Sequence, residues 1–374
     1  MTVPVGTMVR ALRILNFKCF EDQLFEFGPL TLLSGLNGTG KSSVLQSLVL
    51  LRQSYQQSLL QTVGLSLNGD LIQLGIGQDV FYEGAASDEF GFDLDFEDQL
   101  AGSWRFSYDR AADVVRLASD PVPGRVYDKS LFGDDFQYLS AERIGPRSTF
   151  PMSDYLVREH RQLGVRGKYT AHFLNLFGAQ RIASAVLAHP REKALTLIRQ
   201  VEAWMGEISP GVRIDPIAYP EMDLVNLQYS FVMGDQLASN RYQSVNVGFG
   251  ITYTLPVVVA LLASSPGALV LLENPEAHLH PQGQVRMGEL VARAASCGIQ
   301  VVVESHSDHI LNGVRIAVRK GILAPEQLRL YFLERKSGRI SSQVISPRVD
   351  QNGRIDQWPD GFFDEWEKSL EELL

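Results

Sequence analysis

The chain has 374 residues, of which 45% are hydrophobic and 21% charged, as in ordinary globular proteins with a sizeable core. These values exclude a wholly disordered chain, a collagen-like fibre and a small disulfide scaffold. The net charge of −9 excludes a protein that simply coats nucleic acid, so any contact with nucleic acid must use a local basic patch. The two cysteines, Cys19 and Cys297, cannot form a disulfide framework, and we expect inert thiols in a reducing compartment.

The sequence also favours a cytoplasmic location. The first 17 residues lack the continuous apolar core of a secretion signal. The longest apolar stretch, around Leu255–Ala263, is much shorter than the roughly 18 residues that span a bilayer.

The first predicted elements are strands followed by a helix. Residues 9–34 alternate as strands do, and Leu30–Leu33 is a short apolar run with glycine on both sides, which predicts a buried strand. After Lys41 the apolar residues fall at helical spacing. Short alternating segments at Phe90–Phe96 and Trp104–Tyr108 then predict an antiparallel β-region.

The second half predicts helices and strands in alternation. Residues 178–208 carry apolar positions at helical spacing. Strands are predicted at Ala268–Leu272, Gln300–Val303 and Leu328–Leu333, each followed by a polar turn. This succession is typical of a mainly parallel sheet covered by helices.

The segment from Gly35 to Ser42 fits the Walker A pattern G-x-x-x-x-G-K-[ST] at every fixed position. Glycines let the backbone turn its N–H groups toward phosphate oxygens, and the following helix adds its positive N-terminal end. Lys41 would reach the β- and γ-phosphates, and the Ser42 hydroxyl would ligate Mg²⁺. The predicted nucleotide-binding residues are Asn37, Gly38, Thr39, Gly40, Lys41, Ser42 and Ser43.

Walker A requires an acidic residue at the end of a buried strand to orient Mg²⁺, and Glu273 follows the strand predicted at Ala268–Leu272. The segment Glu273–Pro281 resembles the Walker B motif and D-loop of ABC-type and AAA-family ATPases of the SMC and RecF kind. It is most similar to the ATPase domain of overcoming-lysogenization-defect (OLD) proteins. In these families an acidic pair precedes Pro-Glu, the first residue serving Mg²⁺ and the second polarising the attacking water.

This chain departs from that pattern at both positions. Glu273 stands where Asp is usual, and Asn274 stands where the catalytic Glu is expected. An amide can position a water but cannot accept its proton. Two alternatives remain: Glu276 acts as the base, or hydrolysis is slow and ATP serves mainly as a clamp.

The resemblance also implies roles for other residues. His306, after a strand ending in Val303-Glu304-Ser305, resembles the H-loop histidine that senses the γ-phosphate. The segment of Asn246, Gly248 and Gly250 resembles the signature motif that contacts nucleotide bound by another protomer. Gln73 and Gln78 are the candidates for the Q-loop glutamine.

The resemblance implies an α/β P-loop NTPase with an ABC-type ATPase head over the whole chain, a mixed or parallel core sheet covered by helices. Relatives often carry the long coiled coil of SMC proteins or the Toprim nuclease domain of OLD enzymes, and this sequence predicts neither. We expect an N-terminal lobe with Walker A, a β-rich subdomain, a helical insertion with strands, a lobe with signature, Walker B and H-loop, and a tail. Their bounds are 1–78, 79–140, 141–240, 241–340 and 341–374.

The implied function is binding, and on balance hydrolysis, of ATP with Mg²⁺ by a homodimer or higher oligomer. Such a subunit would belong to a bacterial anti-phage defence or DNA-surveillance complex and control a separate nuclease or toxin. The alternatives are an ATP-gated scaffold with little hydrolysis and a RecF-like DNA repair ATPase. Nucleic acid stays open as a partner, and no membrane partner is expected.

Four features have competing explanations. His278 and His280 have the spacing of metal ligands, but residues two apart on a helix do not share a face. Arg143 and Arg147 are either surface or ion-paired arginines, or contacts to nucleic acid, a nucleotide or a partner. The stretch Arg315–Arg339 is either a solvated face or the basic patch. A helix from Asp360 would pack Phe363, Trp366, Leu370 and Leu373 on its own domain or dock a partner.

Overall fold

The structure is a computed structural model that describes residues 8–233, 237–335, 341–359, 361–362 and 370–373. These residues form two compact units. The first unit contains the described residues up to Phe136, together with Pro325–Asp350 and the chain after Gly353. The second unit contains Gln137–Ala324 and the short segment Gln351–Gly353.

Helices and strands alternate irregularly along the chain. From the N-terminus they are β1 Val9–Phe17, β2 Phe20–Glu26, β3 Leu30–Gly35, α1 Lys41–Gln56, β4 Gly64–Ser66, α2 Gly77–Val80, β5 Glu89–Phe96, β6 Ala101–Ser107 and β7 Val114–Arg116. They continue with β8 Phe136–Leu139, β9 Phe150–Pro151, α3 Thr170–Phe177, α4 Leu197–Met205, β10 Val212–Tyr219, β11 Leu224–Met233, β12 Leu237–Ala238 and β13 Tyr242–Gln243. The last are α5 Phe249–Ala263, β14 Leu269–Glu273, α6 Pro281–Ser296, β15 Gln300–Glu304, α7 Asp308–Arg319, β16 Leu328–Glu334 and β17 Gln343–Ile345.

An antiparallel sheet with the order β2-β1-β5-β6 forms much of the first unit. Its inner face is aromatic, and Phe17, Phe90, Phe92 and Phe106 are all completely buried. The rings of Phe17 and Phe92 meet edge to face with their centroids 5.1 Å apart, a favoured aromatic geometry. The predicted antiparallel β-region is confirmed, because its two segments coincide with β5 and β6.

A second set of strands in the first unit carries the glycine loop. β3 pairs in parallel with β16, from Leu30 beside Leu328 to Gly35 beside Leu333. A Cβ on Gly35 would lie 2.1 Å from the Leu333 carbonyl oxygen, so only glycine allows this approach. The buried strands predicted at Leu30–Leu33 and Leu328–Leu333 are confirmed.

The second unit holds the other pair of parallel strands. β14 runs parallel to β15 from Leu269 beside Gln300 to Glu273 beside Glu304, so two glutamates end neighbouring strands. β8 lies on the other side of β14. The strands predicted at Ala268–Leu272 and Gln300–Val303 are confirmed to within one residue.

Helices and a further sheet complete the second unit. α5 is apolar on all sides and buried from Ile251 to Leu262, as expected of a helix in a protein interior. α6 and α7 pack closely because Gly288 and Gly313 face each other, and a Cβ on either would lie within about 2.3 Å of the opposite backbone. β10 and β11 form a long antiparallel pair.

The prediction of a helix over residues 178–208 is wrong for about the first two thirds of that segment. α4 covers only Leu197–Met205, and a 3-10 turn covers Ala185–Leu187. Pro190 lacks an N–H, and the polar groups of this segment bond elsewhere: Gln200 accepts from the His189 N–H at 2.6 Å and donates to the Ala194 carbonyl at 2.7 Å. The Gln200 side chain thus bonds main-chain groups that would bond to each other in the predicted helix.

The end of the chain is described only in part. Phe363 and Trp366 of the predicted C-terminal helix lie outside the described residues, while Leu370 and Leu373 are exposed. Among the helices that are described, none combines the length and the apolar character needed to cross a membrane.

Candidate functional site: a phosphate loop and an acidic strand end

The glycine loop has the backbone that its sequence requires. β3 ends at Gly35 and α1 begins at Lys41, which confirms the predicted order of strand, loop and helix. Gly38 and Gly40 have φ values of 74° and 98°, in the left-handed region that favours glycine. A Cβ on Gly40 would lie 2.3 Å from the Cys19 Sγ, whereas a Cβ on Gly38 would meet nothing within 4 Å.

Lys41 is held inside this loop. Its side chain is 3% exposed, and its Nζ donates hydrogen bonds to the carbonyl oxygens of Gly35 at 2.9 Å and Leu36 at 2.7 Å. The Thr39 hydroxyl donates to the Leu36 carbonyl at 2.8 Å and stiffens the same turn. The ammonium group is therefore positioned by the loop backbone itself.

The start of α1 suits an anion. Its first turn contains no acidic residue, and the Gly40 N-cap supplies no side chain to its N–H groups. Asn37 and Gly38 are exposed, so the outer side of the loop is accessible. A helix N-terminus without a side-chain cap and with an adjacent ammonium group fits a phosphate chain.

Glu273, at the end of β14 in the second unit, has both carboxylate oxygens engaged. Its Oε1 accepts from the Tyr138 hydroxyl at 2.8 Å, and its Oε2 accepts from the Ala141 N–H at 2.9 Å. Burial and the neighbouring carboxylate raise the pKa of the Tyr138 hydroxyl, which therefore remains a proton donor. Sequence reasoning assigned no role to Tyr138 or Ala141, which lie within and just after the short strand β8.

Arg143 lies beneath the same strand end. It is 2% exposed and donates to the carbonyl oxygens of Glu273 at 2.7 Å and Asn274 at 2.6 Å. Burial lowers the pKa of its guanidinium to about 10, which still leaves it charged at neutral pH. Of the two alternatives for Arg143, a surface or ion-paired arginine is wrong, because the residue is buried and main-chain carbonyls take the place of a carboxylate partner; a contact to nucleic acid, a nucleotide or a partner stays untested. Arg147 is exposed.

Asn274 and Glu276 follow directly. Asn274 has φ 44°, a left-handed conformation that asparagine tolerates, and its N–H donates to the Glu304 carbonyl at 2.8 Å. The Glu276 Oε1 accepts from the His306 N–H at 2.8 Å. Its Oε2 is buried and has no hydrogen-bond partner within the described part of the chain. Burial raises the pKa of the Glu276 carboxyl above its ordinary value.

His306 contributes its backbone to this arrangement and exposes its side chain. The following residue, Ser307, caps α7 by accepting hydrogen bonds from the N–H groups of His309 and Ile310, both at 3.1 Å. The structure thus brings together Glu273, Asn274, Glu276 and the His306 backbone at the ends of β14 and β15.

The predicted signature residues lie at the start of α5. Asn246 ends a 3-10 turn and Gly248 is the N-cap of the helix, and both are exposed. A Cβ on Gly250 would lie 2.6 Å from the His278 carbonyl oxygen, which explains glycine at that position. Phe249 is 45% exposed and its ring contacts His278 at 4.6 Å.

The remaining candidates are dispersed. Gln73 is exposed and Gln78 accepts from Arg110 at 2.8 Å. Within the basic stretch, Arg315 is committed to the Gly353 carbonyl at 2.7 Å, while Lys336 and Arg339 lie outside the described residues. The described residues contain no group of three or more His, Cys, Asp or Glu side chains arranged to hold a metal ion.

Three family models match separate segments of the sequence, each covering less than half of the chain. Residues 11–55 match a model described as "AAA domain". Residues 215–312 match "AAA domain, putative AbiEii toxin, Type IV TA system". Residues 323–373 match "Protein of unknown function (DUF3696)". The two AAA matches contain the glycine loop and the acidic strand end. No curated protein matches the sequence.

Two solved structures share the fold over nearly all of the chain. An SMC head bound to the C-terminal winged-helix domain of ScpA superposes with a TM-score of 0.56 at 15% identity, covering 92% of this chain and 98% of that one. An Smc head domain with an extended coiled coil, bound to the C-terminal domain of ScpA derived from Pyrococcus furiosus, gives 0.55 at 14% identity, covering 98% and 99%. The predicted fold class is confirmed: the chain has the α/β fold of an SMC head and carries AAA-domain segments.

Proposed function

We propose that this chain is an ATP-binding and ATP-hydrolysing subunit of a bacterial defence or DNA-surveillance complex, related to the ATPase domain of OLD proteins. The nucleotide-binding part of the proposal rests on the glycine loop, where the Gly35 and Leu36 carbonyls hold Lys41 at the start of α1. The SMC-head fold and the AAA matches support the same conclusion.

ATP would bind with its phosphates on the loop formed by residues 36–40. The loop N–H groups would donate hydrogen bonds to the phosphate oxygens, and Lys41 would exchange its two carbonyl partners for phosphate oxygens. Mg²⁺ bound with the nucleotide would neutralise part of the phosphate charge, with the Ser42 hydroxyl and the Glu273 carboxylate as its candidate ligands. Because Glu273 already accepts two hydrogen bonds, we expect it to act through a metal-bound water.

Glu276 is the proposed general base. Asn274 cannot accept a proton, whereas the buried Glu276 Oε2 has a free acceptor site within the described structure. The raised pKa of this carboxyl makes the carboxylate a better proton acceptor than an exposed glutamate. His306, which is exposed beside it, is the proposed γ-phosphate sensor.

We further propose that two chains dimerise around ATP. Asn246, Gly248 and Gly250 at the start of α5 would contact the nucleotide of the other protomer, and the exposed Gly248 and Asn246 suit such a contact. The SMC heads with this fold are seen bound to ScpA, which supports a separate protein partner here. The AbiEii description supports a defence role in which that partner is a nuclease or toxin.

One observation favours a second function. Asn274 stands where the catalytic Glu is expected, so a chain in which Glu276 does not replace it would be an ATP-gated scaffold that holds its partner without turnover.

The test combines ATP binding, turnover and mass. We expect the purified chain to bind ATP, to release phosphate and to double its mass by light scattering when ATP is added. Lys41→Ala should abolish all three, while Lys320→Ala, an exposed lysine at the end of α7, should change none of them. Binding and dimerisation without turnover would select the scaffold, and absence of ATP binding would refute both functions.

A further inference from the structure

We propose that Arg143 is a positioning residue for the candidate hydrolytic carboxylates, and that Tyr253 links it to the first turns of α5. This inference rests on the proposed ATPase function for its effect on turnover, but its structural part does not. Neither residue touches the reacting atoms in this proposal. Both act by fixing the backbone that carries Glu273 and Glu276.

Arg143 is committed entirely to the main chain around the acidic strand end. Its guanidinium donates to four carbonyl oxygens, those of Ser140 and Tyr253 at 3.1 Å, Glu273 at 2.7 Å and Asn274 at 2.6 Å. The planar group also lies over the Tyr253 ring, 4.6 Å from its centroid. Because a guanidinium presents its donors in one rigid plane, it holds these four peptide groups in a fixed relation.

The turn that Arg143 holds is the one that places Glu276. Asn274 is left-handed, and its two peptide groups are both bonded: the N–H to the Glu304 carbonyl and the carbonyl to Arg143. Pro275 then fixes the next φ angle, and Glu276 follows with its Oε1 on the His306 N–H. Without the Arg143 contact, the Asn274 carbonyl would keep only the bond from the Ala277 N–H at 3.1 Å, and the turn would lose its link to the segment that carries Arg143.

Tyr253 connects this turn with the helix that carries the candidate signature. Its hydroxyl accepts from the Arg143 N–H at 3.1 Å and donates to the Ala141 carbonyl. On its other side the ring contacts Phe249 at 5.2 Å and His278 at 4.8 Å. A displacement of the first turn of α5 would therefore reach Ala141, whose N–H holds the Glu273 carboxylate, through one side chain.

The test substitutes Arg143→Lys and uses Arg52→Lys as the matched control. Arg52 is also buried at 3% exposure, donates to a main-chain carbonyl, lies over an aromatic ring and has a pKa lowered to about 10, but it lies in α1 in the other unit. A lysine ammonium cannot reach four carbonyls in one plane. Tyr253→Phe, which removes only the hydroxyl, is the milder variant in case Arg143→Lys fails to fold.

Two readouts are measured on the full chain. In Arg143→Lys we expect kcat for ATP to fall roughly 10- to 100-fold with KM within about threefold. We also expect faster hydrogen–deuterium exchange in peptides that cover residues 273–280 and 304–307. Tyr253→Phe should show the same pattern with smaller changes, and Arg52→Lys should show neither.

Two results would overturn the inference: exchange at those peptides unchanged in both Arg143→Lys and Tyr253→Phe, or an equal kcat loss in Arg52→Lys. Absence of turnover in the unaltered chain would refute the proposed ATPase alone, and the exchange measurement would still decide whether Arg143 holds the turn.

Discussion

The glycine loop of the first unit and the acidic strand end of the second unit are held in place by different means. In the loop, glycine conformations and backbone carbonyls within eight residues position the buried Lys41 ammonium group. At the acidic strand end, the carboxylates are held by side chains and N–H groups from distant segments, including Tyr138, Ala141 and His306. The loop is thus a local structure, whereas the strand end depends on the packing of the whole unit.

This difference predicts where each region is fragile. In the loop, a Cβ at a glycine with a close contact, such as Gly40 beside Cys19, should be the most damaging change. Substitutions in the segment from Tyr138 to Arg143, about 130 residues away in the sequence, should change the geometry of the acidic strand end, because that segment donates hydrogen bonds to it.

The largest expected effect is that of Glu276→Gln. An amide cannot accept the proton of the attacking water, so we expect kcat to fall by about 100-fold or more while ATP binding is retained. Steady-state phosphate release beside equilibrium ATP binding measures this. Glu289→Gln is the control, since Glu289 is a buried glutamate of the same unit that pairs with Arg286 and Arg293. Wild-type turnover in Glu276→Gln would remove Glu276 from the mechanism.

Next in size is a comparison of two loop glycines. In Gly40→Ala the new Cβ would lie 2.3 Å from the Cys19 Sγ and 2.8 Å from the Phe20 ring, so the loop must shift, and we expect ATP affinity to fall more than about tenfold. In Gly38→Ala the Cβ enters open space and only the left-handed backbone opposes it, at a cost of about 1 kcal/mol. Binding of a fluorescent ATP analogue measures both, and equal losses would show that backbone strain alone shapes the loop.

The pH dependence of turnover should report the burial of Glu276. Because its pKa is raised, the Glu276 carboxyl becomes neutral at a higher pH than an ordinary glutamate, whose pKa is 4.5. The neutral form cannot accept a proton. Turnover should therefore fall about tenfold per unit as the pH drops below this raised pKa. A profile of kcat against pH measures it. An acid limb at the ordinary value, or one that persists in Glu276→Gln, would assign it to another group.

The smallest expected effect is that of Tyr138→Phe. It removes one of the two hydrogen bonds to the Glu273 carboxylate and leaves the one from the Ala141 N–H. We expect a loss of about 2 kcal/mol in the free energy of unfolding, since hydrogen bonds to charged groups are the stronger ones, with a drop in kcat of a few-fold. Denaturant unfolding measures the first. Tyr127→Phe, whose hydroxyl accepts from the neutral Trp104 indole, should cost less.

The sequence predicted the glycine loop and the parallel strands because both are determined by neighbouring residues. Lys41 and the loop glycines are contiguous, and the strands at Leu269–Glu273 and Gln300–Glu304 are short apolar runs of the right length. The helix predicted over residues 178–208 failed because Gln200 and Pro190 oppose an apolar spacing that by itself favours a helix.

Arg143 shows most clearly where sequence reasoning ends. The sequence left it either as a surface or ion-paired arginine or as a contact to nucleic acid, a nucleotide or a partner. Nothing nearby in the sequence shows that carbonyls of Glu273, Asn274 and Tyr253 surround it. The roles of Glu276 and of the signature residues stay predictions, supported by their geometry.

The sequence by itself determined that this protein has a phosphate-binding loop between a buried strand and a helix, because glycine, lysine and strand periodicity act within a few residues. Only the tertiary structure decided which side chains hold the acidic strand end. Hydrogen bonds to residues 273–276 from Tyr138, Ala141, Arg143 and His306 form after these segments pack, and a buried polar group takes whichever partner the fold brings to it.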